Sequence, residues 1–135
     1  MEEENQQELI FKLSMFEQHA NQLQQQIRSV EKGILDLNEL VIGLEELNGK
    51  ENEEMLAHVG RGIFIKTKII SEELIVDVGS KNFVKKTIPE AKKLIGEQIK
   101  RLETIKEELN ENLEDLGKEM QRVLESVNSS ENKEE

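Results

Sequence analysis

Chemistry in this 135-residue chain would have to run through two histidines and 29 Asp and Glu side chains. His19 and His58 are far apart in the pattern and lack partners at metal-ligand spacing, so both read as structural or surface groups. The carboxylates recur on regular helical faces, where they act as solvated charge and not as acid–base pairs. There is no cysteine, which excludes disulfides, thiolate metal sites and a cysteine nucleophile. "GRGIFI" (60–65) has two glycines but no third, and it opens a strand, so it is no dinucleotide loop. No P-loop occurs, which argues against intrinsic ATP use. "NSS" (128–130) fits a glycosylation acceptor only by chance, since "MEEENQQEL" at the N-terminus is acidic where a signal peptide is basic. The residues imply no enzyme, no metal and no cofactor.

What remains is binding, and the charge restricts the partners. Eighteen Lys and Arg against 29 Asp and Glu give a net charge of −11, which opposes binding to nucleic acid. Lys81, Lys85, Lys86, Lys92 and Lys93 form a local exception, read as a solvated strand edge and helix start. No apolar run approaches the ~18 residues of a membrane span, so no membrane partner is expected and the location is read as cytoplasmic. Aromatic residues make up 3% and charged residues 35%, a balance that suits a coiled coil better than a compact globule.

Two segments carry the coiled-coil signal. Leu9, Phe16, Leu23, Val30, Leu37 and Leu44 are seven apart, and Leu13, Ala20, Ile27, Ile34 and Val41 form a second such row. Steps of three and four place the rows at heptad positions d and a of one seam. "LNGKEN" (47–52) then stops the helix, with Gly49 suited to a left-handed cap. The second helix starts near "TIPEA", where Thr87 can cap, Pro89 suits a first turn and Glu90 complements the positive helix end. Ile95, Leu102, Leu109, Leu116 and Val123 form one row; Ile99, Leu113, Met120 and Val127 form the other, with Lys106 in one of its places beside Ile105. Both patterns extend about 39 residues, or ~58 Å. Equal lengths with a compact connection predict an antiparallel hairpin, Leu9 near Val127.

Between the helices the sequence is β-type. "MLAHV" (55–59) and "IFIKTKII" (63–70) flank "GRG"; "ELIVDV" (73–78) and "NFVKKT" (82–87) flank "GSK". Leu74, Val76 and Val78 share one apolar face, while Ile75 makes the other face partly apolar. Four short strands cannot close a barrel and leave pairable edges. Strands from other chains would cover those faces and edges, which marks Ile63, Phe64, Ile65, Leu74, Val76, Val78, Phe83 and Val84 as an assembly platform.

This order of helix, two hairpins and helix resembles the prefoldin alpha-type subunit over residues 5–127. The Gly-x-Gly turn before an aromatic-bearing strand is matched by Gly60, Gly62 and Phe64. The hydrophobic-Val-x-Val-Gly strand is matched by Ile75 to Gly79; Phe83, Val84, Lys86, Glu90 and Ala91 match the strand and helix start that follow. Two hairpins favour the alpha type, since beta-type subunits carry one. His58 stands where many relatives have Pro, and Lys81-Asn82 replaces a common Gly-Tyr.

The resemblance implies one mainly α domain with a small β part: a helix over about 5–48, two assembly hairpins over 54–87 and a helix over 88–127; the tail "NSSENKEE" (128–135) is polar and is expected to be disordered. It further implies a chaperone without ATPase activity, in which two alpha and four beta-type subunits complete a β-barrel platform. Its coiled-coil tips would capture non-native proteins and deliver them to a group II chaperonin. In the heptad frame Ile10, Phe11 and Met15 fall at e, f and c, and Leu124 also falls off the seam, so these four form the expected client-binding tip. The competing reading of that cluster is helix-end packing among Phe11, Met15 and Leu124. A competing function is a coiled-coil scaffold within a prefoldin-like complex.

Overall fold

A computed structural model describes the backbone of residues 2–134 and the side chains of residues 3–128. In chain order, α1 spans Glu2–Leu47, β1 Glu54–Gly60, β2 Ile63–Lys68, β3 Leu74–Asp77, β4 Phe83–Lys86 and α2 Ile88–Glu134. The chain divides into a helical unit, residues 1–33 with 102–135, and a hairpin unit, residues 34–101.

In the helical unit the two helices meet along the heptad seam. The side chains withdrawn from solvent on α1 are Leu9, Leu13, Phe16, Ala20, Leu23, Ile27, Val30 and Gly33, spaced by three and four residues throughout. On α2 they are Leu102, Lys106, Leu109, Leu113, Leu116, Met120, Val123 and Val127. Leu23, Ile27 and Leu116 are the buried centre of this contact. Gly33 lies at the contact between the helices, where a Cβ would meet Leu102 Cδ1 at 3.4 Å, an ordinary van der Waals distance. Lys106 keeps its place in the apolar row by reaching across to Glu31, Nζ to Oε1 3.4 Å. Both partners stay over one-third exposed, so the ammonium remains hydrated while its carbon stem covers the seam.

In the hairpin unit α1 ends at Leu47, and Gly49 follows with φ +77°, as its left-handed role requires. Its amide donates to a Glu72 carboxylate oxygen, tying the link between the hairpins to the helix end. At the start of α2 the amide of Glu90 donates to Thr87 Oγ1 at 3.2 Å, the expected N-cap. Ile88, Ala91 and Ile95 form the buried side of that first stretch, and Lys92 pairs with Glu45 at 3.0 Å.

The strands form two separate antiparallel sheets, β1–β2 and β3–β4. Each turn uses a glycine followed by two left-handed residues: Gly60 with Arg61 and Gly62, then Gly79 with Ser80 and Lys81. Two successive positive φ values match the twist of the flanking strands in a tight hairpin. The amide of Asn82 donates to the Gly79 carbonyl at 2.9 Å, so Lys81-Asn82 supports a turn of the same kind as Gly62-Ile63.

Helix α2 continues to Glu134, past the end expected at 127, so the expected disordered tail is helical over 128–134; residue 135 lies outside the described residues. "NSSENKE" contains neither Pro nor Gly, and low hydrophobicity alone does not break a helix already propagating. At the other end α1 begins at Glu2, its first residues being acidic and suited to a helix N-terminus.

Candidate functional site

The four expected tip residues are all exposed on the helical unit, but they do not form one cluster. Phe11 and Met15, 66% and 52% exposed, line an open hollow of about 430 Å3 with Phe16 and Leu116. Lys12, His19 and Glu119, all at heptad position g, form its polar rim with Gln18 and Gln22. A second hollow of about 440 Å3 shares Lys12 and Glu119 with the first and runs on past Leu9, Val123 and Val127. The expected neighbourhood of Leu9 and Val127 is therefore present. The two hollows make one groove along the g flank of the helix pair.

Ile10 and Leu124 line neither hollow. Both occupy position e, on the other side of the seam, because a helix residue one step from its neighbour turns by about 100°. Helix-end packing of Phe11 and Met15 against Leu124 thus gives way to two flanks, one grooved and one carrying Ile10 and Leu124. The heptad pattern alone does not reveal Phe16, Leu116 or the rim, because it assigns seam residues wholly to the core. The signal available was position g on both helices, where an antiparallel pair leaves a furrow. The off-seam rule also passed over Leu35, Leu40 and Ile42 on α1, which are exposed in the hairpin unit.

The expected platform residues lie on the two hairpins. Ile63, Phe64, Ile65, Val78, Phe83 and Val84 are exposed, while Leu74 and Val76 are half-buried. Register pairs Ala57 with Ile65 and Met55 with Thr67 on one face of the first sheet. On the other face His58 pairs with Phe64, their rings edge to face with centroids 5.1 Å apart. Val76 lies opposite Val84 in the second sheet. Isolated two-stranded sheets with apolar side chains on both faces are marginal in water, so these surfaces call for further strands. Among the described residues, no cluster of three or more His, Asp or Glu is arranged to hold a metal, and no helix is long and apolar enough to cross a membrane.

A family model described as prefoldin subunit matches residues 12–133. The chain belongs to the prefoldin family. Curated relatives place it among the alpha-type subunits. Prefoldin subunit alpha of Methanobrevibacter smithii is 31% identical over 123 residues, covering 90% of this chain and 80% of that protein. Prefoldin subunit alpha of Pyrobaculum aerophilum is 24% identical over 127 residues, covering 94% and 96%. A cryo-EM structure of filamentous PFD from Methanocaldococcus jannaschii shares the fold, with a TM-score of 0.77 at 21% identity over 84% of this chain and 96% of that one. Prefoldins are a family of non-enzymatic chaperones, and membership implies assembly with other subunits into a prefoldin complex. Two long helices joined by two small antiparallel hairpins is the prefoldin alpha-type arrangement expected from the sequence.

Proposed function

We propose that this prefoldin subunit captures non-native proteins on its helical unit, without ATP, and passes them to a group II chaperonin in the cytoplasm. Two copies would join four beta-type subunits, the hairpin strands of all six completing a β-barrel platform. The observation that carries the capture reading is the groove: Phe11 and Met15 are exposed beside Phe16 and Leu116 in a concavity bordered by polar groups. Apolar area is the main attraction an unfolded chain offers, and flexible Met beside flat Phe adapts to varied sequences. Ile10 and Leu124 extend the apolar area on the second flank.

Ser at positions 10, 11 and 15 spares the a and d contacts, so the triple variant should keep its helicity and its place in the complex. Suppression of aggregation of a denatured client should fall, and Leu124→Ser should cause a smaller loss. Protection should persist at raised salt, because screening weakens charge and not apolar contact. Undiminished protection in a complex whose beta-type tips were also truncated would move the client site elsewhere. Affinity for one folded partner and for none of several unrelated denatured proteins would favour a scaffold subunit instead.

A further inference from the structure

The charges on the strands are divided by position in the hairpin. The returning strands, β2 and β4, carry Lys66, Lys68, Lys85 and Lys86 and no acidic residue. The outgoing strands, β1 and β3, carry Glu54 and Asp77 and no lysine or arginine. Part of this is internal to the hairpins: Lys68 lies opposite Glu54, and Lys85 pairs with Glu73 at 3.4 Å. Lys66 and Lys86 have no such use, for they lie opposite Leu56 and Leu74. Lys66 shares its face with Phe64 and Lys68, because side chains on a strand alternate. Each sheet has two strands, so among the described residues the outer edges of β2 and β4 have no paired strand.

We infer that the outer edge of β2 selects a strand from a different subunit, one that bears Asp or Glu on the face of Lys66 and Lys68 and apolar residues on the face of Ile63 and Ile65. This rests on the assembly reading above and adds the chemistry of the partner. Directly opposed side chains on neighbouring strands stand about 5 Å apart, where opposite charges attract and like charges repel. A β2 or β4 edge from a second copy would set lysine against lysine. Opposite charge would also speed the encounter with the correct subunit. The same edge therefore accepts an acidic partner and rejects a β2 or β4 edge of a second copy, while the β1 and β3 edges of that copy bring only Glu54, already opposite Lys68, and Asp77, which accepts from the Gly79 amide. Positive-on-positive exclusion here concerns the edges alone, in a chain whose net charge is −11.

The test uses the full chain with its cognate beta-type subunit, followed by native mass spectrometry and by association kinetics at low and raised salt. K66E/K68E should reduce the apparent affinity for the beta-type subunit by about tenfold or more. K93E changes a charge on an exposed helical face and should assemble as wild type. K66Q/K68Q, which adds no repulsion beside Glu54, should fold and should flatten the salt dependence of the wild-type association rate. Mixing wild type with K66E/K68E should give mixed oligomers of this chain above the statistical proportion, since Lys now meets Glu at the edges. If K66E/K68E and K66Q/K68Q join the beta-type subunit with wild-type affinity and salt dependence, charge selection at β2 is wrong and the assembly reading survives. If the wild-type chain does not join the beta-type subunit at all, the assembly reading and the inference fail together.

Discussion

Lys106 occupies a place in the apolar seam that its row otherwise gives to Ile, Leu, Met and Val, so Lys106→Leu separates two opposed effects. The lysine side chain is 38% exposed, and its partner Glu31 is 48% exposed. Burying a leucine fully is worth about 1.5–3 kcal/mol, and a site this open would yield about 1–2 of that. The lysine stem already covers part of the same surface, which reduces the gain further. Against it stands the loss of a solvated ion pair, about 0.2–1 kcal/mol. Leucine and lysine have similar helix propensities, so the backbone does not decide the sign. The net expectation is stabilisation by about 0.5 kcal/mol, or roughly 1–3 °C in the melting temperature of a chain this long. Circular dichroism at 222 nm, on the assembled complex, reads the helical transition. Glu31→Gln supplies the second arm, since it removes the pair without adding apolar area, and should lower the melting temperature slightly. A Lys106→Leu variant that melts below wild type would refute the reasoning, because the ion pair would then outweigh the burial assigned to the seam.

Other substitutions divide the seam, the platform and the turns. Leu23→Asp puts a carboxylate at one of the most buried seam positions and should cost several kcal/mol of helix pairing (about 3 or more), read as lost helicity on heating. Val76→Asp should instead leave helicity near wild type and reduce the mass of the assembled complex in native mass spectrometry. Normal assembly by both variants would contradict the separation of roles. Lys81→Gly relieves a non-glycine residue at φ +62° and should raise stability by about 1 kcal/mol, measured as a higher dissociation temperature of the complex.

The seam was legible because burial in a helix pair follows side-chain spacing, and the two seven-residue rows run through the withdrawn positions of both helices. The hairpins were legible because their glycines fall where the backbone turns into the left-handed region. Thr87 and Gly49 announced a cap and a stop through local chemistry, and both have those roles. The groove was not legible in the same way. It arises from side chains of both helices at once, so Phe11 and Leu116 become neighbours only when the register between helices is known. Lys106 interrupts the apolar row of one helix, and its partner, Glu31, belongs to the other. The end of α2 was missed because polarity was read as disorder when nothing in 128–134 interrupts a helix.

Exposure alone does not single out the groove, since Leu35 is as open to solvent as Met15. Site-specific photo-crosslinking resolves the matter most directly. A photo-reactive residue at position 11, 15 or 35 is incorporated into the assembled complex, which is then illuminated with a freshly denatured client. Client adducts are expected from positions 11 and 15, reproduced with unrelated clients, and few or none from position 35. Adducts from position 35 with none from 11 or 15 would contradict the central claim that the grooved flank of the helical unit holds the client.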